Sequence, residues 1–273
     1  METIATSVPT RHGPVTCHAR GVGPPIVLLH ANPGDHRDWD AVLPDLARDH
    51  RVIAVDWPGY GASPPPEPPG SASAMMYAEV LIDLIDALDL APAILVGNSV
   101  GGYAAVRCAV ERPDRVAGLV LVDSGGFTAP SWTSRAFCWL LGHERVTRAI
   151  AVPFARRYLR RRNDDVAAIL ARTDEVARDP ARVAVDAGLW RSFGDPRHDL
   201  RTAAAAVRAR SLLVWGRHDP VLRADRDGQT AARAIPGAEL VVLDTGHMPF
   251  AEDPGAFLAA VRPFLAGTAA APA

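Results

Sequence analysis

One serine in this sequence stands in the segment Gly97-Asn98-Ser99-Val100-Gly101, with Gly102 following and an apolar run before it. A hydroxyl is a weak nucleophile at neutral pH and attacks a carbonyl only when a base takes its proton. The spacing predicts a turn between a strand and a helix, tight enough to lift Ser99 Oγ above the sheet. Gly97 and Gly101 then occupy positions where a Cβ would meet the neighbouring strand or helix. Of nine histidines, only His247 lies just past a late apolar run in a short glycine-containing loop, Asp244-Thr245-Gly246-His247. It is the candidate base. A base of this kind needs a carboxylate that fixes its tautomer and stabilises the imidazolium. Two aspartates at the ends of apolar runs compete for that role, Asp219 and Asp123.

The elements that must position these groups are legible as a rhythm. Short, nearly continuous apolar runs at 25–30, 51–56, 92–97, 116–123, 210–215 and 239–243 read as parallel strands covered on both faces. Helical patterns fall between them, at 36–48, 73–89, 100–112, 221–234 and 254–266. The alternation predicts an α/β fold with a mostly parallel sheet flanked by helices. Residues 2–8 and 14–20 add an antiparallel hairpin at one edge. Between about 127 and 205 the rhythm breaks and the pattern is helical. The simplest organisation is a core made of 1–126 and 206–273, carrying a helical cap at 127–205.

At this point the chain resembles the α/β-hydrolase family, and the resemblance spans nearly the whole length outside the insertion. It rests on the nucleophile segment and four others in the family's order: His30-Ala31-Asn32-Pro33-Gly34, Asp56-Trp57-Pro58-Gly59-Tyr60-Gly61-Ala62-Ser63, Trp215-Gly216-Arg217-His218-Asp219, and the loop carrying His247. The resemblance implies an α/β-hydrolase fold with a helical cap and a Ser99–His247–Asp219 triad, favouring Asp219 over Asp123 because it matches the motif residue by residue. It also implies an oxyanion hole built from the backbone N–H groups of Val100 and Asn32. Ala31 departs from the commoner pattern, which has glycine after the histidine, so a loop that needs a glycine-only conformation would have to bend differently here. His30 reads as structural. His-x-Asn-Pro is also similar to the haloalkane dehalogenase branch, but that branch attacks with an aspartate, and an alkyl ether on Ser99 has no carbonyl through which it can be released.

The expected activity is hydrolysis of an ester or related acyl bond, including a carbon–carbon bond in a ring-fission product, through an acyl-enzyme on Ser99. A non-hydrolytic enzyme using the same triad, and a low-turnover ligand receptor, stay open. Met248, beside the base, and Trp139, in the cap, are the candidates for contact with substrate.

Composition sets the outer bounds. The 273 residues are 48% hydrophobic and 22% charged, with a formal net charge of −2, which gives no global field toward nucleic acid or a membrane. No apolar stretch reaches the length of a membrane span. Three scattered cysteines make no disulfide framework and suggest a reducing, cytoplasmic setting. No metal-ligand spacing or dinucleotide motif occurs, so no cofactor is expected. The expected partner is a small-molecule substrate.

Overall fold

The computed structural model describes residues 2–90 and 92–269. Eight strands form one sheet: β1 (Ile4–Thr10), β2 (Gly13–Arg20), β3 (Pro25–Leu29), β4 (Arg51–Val55), β5 (Ala93–Asn98), β6 (Val116–Val122), β7 (Arg210–Gly216) and β8 (Glu239–Leu243). Their spatial order is β1-β2-β4-β3-β5-β6-β7-β8. The β1–β2 hairpin is antiparallel and pairs antiparallel with β4; every other pairing is parallel.

The continuous apolar strands are explained by two cores, because side chains alternate faces along a strand. Val27, Leu29, Leu95, Leu119, Leu121 and Leu213 point into one core. Ile26, Leu28, Ile94, Val96, Val120 and Leu212 point into the other.

Among the described residues ten α-helices accompany the sheet. Outside the cap segment they are α1 (Leu43–Leu46), α2 (Ala74–Ala87), α3 (Val100–Glu111), α8 (Gln229–Ala234), α9 (Pro249–Glu252) and α10 (Pro254–Ala269). Between β6 and β7 run α4 (Trp132–Leu141), α5 (Glu144–Tyr158), α6 (Asp164–Arg178) and α7 (Pro180–Phe193), with no strand among them. α2 and α3 lie on the first core, α10 on the second.

Two helices differ from their sequence pattern. The helix expected over 36–48 is a single turn at His36–Trp39 followed by the short α1. Pro44 sits in the first turn of α1, the part of a helix that tolerates a missing N–H. The helix expected over 221–234 begins later, with a wide turn at Ala224–Gly228 leading into α8, because the N–H groups of Val221 and Leu222 are bonded to Asp219 instead. Residues 270–273, the end of the segment assigned to the core, lie outside the described residues.

The strand order places the chemistry. From β3 the chain steps to β4 on one side, then returns to β5 on the other. The loops after β3 and β5 therefore flank the topological switch point, where open α/β sheets bind ligands. These are the loops that carry Asn32 and Ser99.

Candidate active site

Ser99 joins β5 to α3 with φ 53° and ψ −113°, a region costly for a side-chain-bearing residue, of order 1–3 kcal/mol. The glycines show what holds it there. A Cβ on Gly97 would lie 2.4 Å from the Gly101 carbonyl oxygen, and one on Gly101 would lie 2.2 Å from the Leu29 carbonyl oxygen. Helix and strand thus approach each other through two missing methyl groups. Ser99 N–H donates to the Val122 carbonyl at 3.0 Å, and the Ser99 carbonyl accepts from Gly125 N–H at 3.0 Å. The backbone of the turn is tied down while the hydroxyl opens into a cavity of about 580 Å³.

His247 lines the same cavity. Its Nδ1 lies 2.5 Å from Asp219 Oδ2. Asp219 Oδ1 accepts the N–H groups of Val221 and Leu222 at 2.8 and 3.1 Å. Both carboxylate oxygens of Asp219 thus accept hydrogen bonds, and with Nδ1 donating to Oδ2 the ring presents Nε2 as its remaining acceptor. Among the described residues no hydrogen bond joins Ser99 to His247; such contacts tighten when substrate is present.

Asp123, the rival acid, lies one residue past the end of β6. It is fully buried behind Asp219, and the reactive atoms of Asp123, Asp219 and His247 all lie within 4.8 Å of one another. Its carboxyl receives one backbone donor, Gly216 N–H at 3.0 and 3.2 Å. Burial, then the charge of Asp219, push it well above the usual carboxyl range. Two carboxyls this close cannot both ionise, so Asp123 keeps its proton and donates it to Asp219.

Two side chains to which the motifs assigned no role, Glu252 and Asn98, and one backbone carbonyl, that of Tyr158, hold the histidine loop. Glu252 is 2% exposed, and its Oε2 accepts N–H groups from Gly246, Arg160 and Arg161 at 3.0, 2.8 and 3.0 Å. Its Oε1 accepts from Met248 N–H at 3.3 Å. One carboxylate thereby clamps both flanks of His247 to the turn that follows α5. Asn98 Nδ2 donates to the His247 carbonyl at 3.1 Å and to the Val122 carbonyl at 2.9 Å. The Tyr158 carbonyl accepts His247 N–H at 2.9 Å.

On the opposite side, Val100 opens α3 and Asn32 follows β3. Both line the cavity, and neither backbone N–H is engaged among the described contacts. Ala31 does not have a positive φ, so the loop does not need the glycine that the commoner pattern carries. His30 accepts Trp57 N–H on Nε2 at 3.1 Å, and its Nδ1 lies 2.6 Å from the Ala31 carbonyl. Burial holds its pKa down. It is a neutral strut with no remaining site for catalysis. Asp56 braces the same loop, collecting His36 N–H, His36 Nδ1, Ala62 N–H and His18 Nε2 at 2.8–2.9 Å.

The sequence pattern of the alpha/beta hydrolase fold matches residues 24–254. The chain belongs to that family. A 2-hydroxymuconate semialdehyde hydrolase of Pseudomonas sp. (strain CF600) is 32% identical over 291 residues, spanning 99% of this chain and 95% of its own. A thermophilic esterase from Thermogutta terrifontis superposes with a TM-score of 0.80 at 26% identity, over 98% of this chain and 99% of its own. A hydrolase from Pseudomonas aeruginosa PA01 superposes at 0.78 with 27% identity, over 96% and 98%.

In this alpha/beta hydrolase the cavity roof is aromatic: Phe137, Phe154, Tyr158, Trp190 and Phe193 line it, with Trp190 edge-on to Phe137, Phe154 and Phe193 at 5.3–5.8 Å. Two expected substrate contacts are corrected. Met248 does not line the cavity. It immediately precedes α9, and its side chain is fully buried in the core under the sheet with Phe250 and Phe257. Trp139 is 64% exposed and rests on His143, with ring centroids 4.3 Å apart. α4 turns Phe137 and Cys138 toward the cavity, and the next residue, a further 100° around the helix, faces out.

Proposed function

We propose that this alpha/beta hydrolase cleaves an ester or related acyl bond of a small organic substrate through an acyl-enzyme on Ser99. The observation that carries this reading is Ser99, on a strained backbone turn, lining the same cavity as His247, which is bonded to the buried Asp219. His247 Nε2 takes the Ser99 proton as Oγ attacks the carbonyl carbon. The free N–H groups of Val100 and Asn32 meet the oxyanion, where one such donor is worth about 3 kcal/mol. His247 returns the proton to the leaving group, then activates water to release the acid and regenerate Ser99.

The aromatic roof suits an apolar acyl or leaving group. The similarity to a 2-hydroxymuconate semialdehyde hydrolase supports a second reading, in which the bond broken is carbon–carbon and the leaving group is a carbon acid. Parallel assays with short p-nitrophenyl esters and a vinylogous diketone of the ring-fission type separate the two.

The test of the shared chemistry is labelling by a fluorophosphonate probe together with turnover of both substrate types. The wild-type chain labels at Ser99. Ser99→Ala does not label, and its turnover falls by at least about 10⁴-fold with an unchanged circular dichroism spectrum. Turnover near wild type in that variant would remove Ser99 as nucleophile.

A further inference from the structure

Four of the large apolar side chains with high exposure in this chain, Trp132, Phe137, Trp139 and Leu140, belong to one helix, α4. Trp132 and Trp139 are seven residues apart and so share a face; they are 81% and 64% exposed. Phe137 turns to the cavity, whereas Trp132, Trp139 and Leu140 do not line it. They are left largely open to solvent, with the His143 ring packed against Trp139.

The charge around this face is as uneven as its apolarity. From 128 to 163 the sequence holds eight arginines against one carboxylate, Glu144. They are Arg135, Arg145, Arg148, Arg156, Arg157 and the run 160–162, and all are exposed. Only Arg161 has an ion-pair partner among the described residues, Asp253 at 3.1 Å. Elsewhere in the chain arginine is commonly paired, as in Arg11–Asp83, Arg172–Asp38 and Arg201–Asp199. Asp164 and Asp165, next in sequence, sit in the first turn of α6, where the helix dipole favours them. The net charge of −2 conceals this local excess.

We propose that the outer face of the α4–α5 pair docks on an anionic lipid bilayer. Indole rings settle at the boundary between headgroups and acyl chains, and unpaired guanidinium groups are drawn to acidic headgroups; together they supply the two signals that reversible membrane binding needs. A second copy of the chain is a poor occupant, since a symmetric pairing would set this cationic face against itself. The flank of α4 that bears Ser131, Ser134 and Arg135 lines the cavity, so docking would bring the cavity close to the lipid. This inference does not depend on the reaction assigned to Ser99, because it is read by binding alone.

The experiment is flotation of the full chain with vesicles of phosphatidylcholine alone or of equal parts phosphatidylcholine and phosphatidylglycerol, with tryptophan emission recorded in parallel. The expected result is binding to the phosphatidylglycerol vesicles only, a blue shift of emission, and release by high salt. Trp132→Ser combined with Trp139→Ser should weaken binding by about tenfold or more, with the thermal midpoint unchanged because both side chains are exposed. Arg145→Gln combined with Arg148→Gln should weaken it by a similar factor. Failure to bind acidic vesicles at low salt, or equal binding to both vesicle types, overturns the proposal. So does an emission shift of equal size on poly-glutamate, which would assign an acidic polypeptide, or a dimer in sedimentation that the tryptophan variants abolish, which would assign a second copy.

Discussion

The two walls of the cavity are built by different means. On the nucleophile wall, Ser99 and Val100 are placed by backbone sterics: a positive φ and two glycines whose absent methyl groups let strand and helix touch. On the base wall, His247 is placed by hydrogen bonds from buried side chains, with Asp219, Asn98 and Glu252 each bonding the loop at a different atom. The first wall has little to lose except shape. The second holds three buried carboxyls, Asp123, Asp219 and Glu252, and its integrity depends on which of them is charged.

That contrast is broken most severely at Asp219. Asp219→Asn removes the acceptor at His247 Nδ1 and favours the wrong tautomer, so kcat should fall by about 10⁴-fold while KM changes little. Its neighbour sets the comparison. Asp123 is equally buried, but it holds a proton and donates it. Asp123→Asn keeps a donor of the same shape facing Asp219, and kcat should drop by less than about fivefold. Steady-state kinetics on the two variants decide the matter: equal losses would mean that the carboxyls share the acid role, and a larger loss at Asp123 would reverse their assignment.

A middle-sized effect is expected at Glu252. Glutamine keeps the length but offers one acceptor oxygen, and its amide opposes the N–H groups that the carboxylate now accepts. Glu252→Gln should destabilise the fold by about 2–3 kcal/mol, read by urea denaturation. kcat should fall roughly tenfold, because the flanks of His247 loosen together. Unchanged kcat with lowered stability would show that Glu252 holds the turn after α5 without positioning the base.

The same contrast explains what the sequence made legible. Sterically enforced geometry leaves a local signature, since only glycine fits at 97 and 101, and the strand, turn and helix around Ser99 fall where the pattern puts them. Parallel strands are legible for a similar reason: burial on both faces forbids polar residues along the run. Networks leave no such trace. Glu252 follows Ala251 in a short apolar helix, and nothing near it in sequence marks it as the partner of Arg160 and Arg161, about ninety residues away. Met248 and Trp139 mislead for a related reason. Adjacency to a key residue, or membership of the cap, does not fix the direction in which a side chain points.

The smallest expected effect tests where the two walls meet the cap. Asp186, on α7, is 3% exposed; its Oδ1 accepts Asn32 Nδ2 at 2.9 Å and the Tyr60 hydroxyl at 3.3 Å. Burial raises its pKa to about 6, against the hydrogen bonds from Asn32 and Tyr60. The folded state therefore binds this proton more tightly than the unfolded chain, whose carboxyl titrates near the usual value of about 4. Asp186 favours folding at low pH, and that contribution is lost as pH rises from about 4 through about 6. Asp186→Asn removes the titration but keeps an acceptor for Asn32. Relative to wild type, the variant should gain stability across that interval, by at most about 2–3 kcal/mol above pH 7, and the two should converge below pH 4. Asp38, raised to about 7 by burial, titrates in both proteins and cancels in the difference. Parallel pH profiles of the thermal midpoint would show that Asp186 does not titrate across that interval and is held as a carboxylate by its two donors, and the network of buried carboxylates would then extend across the cavity to α7.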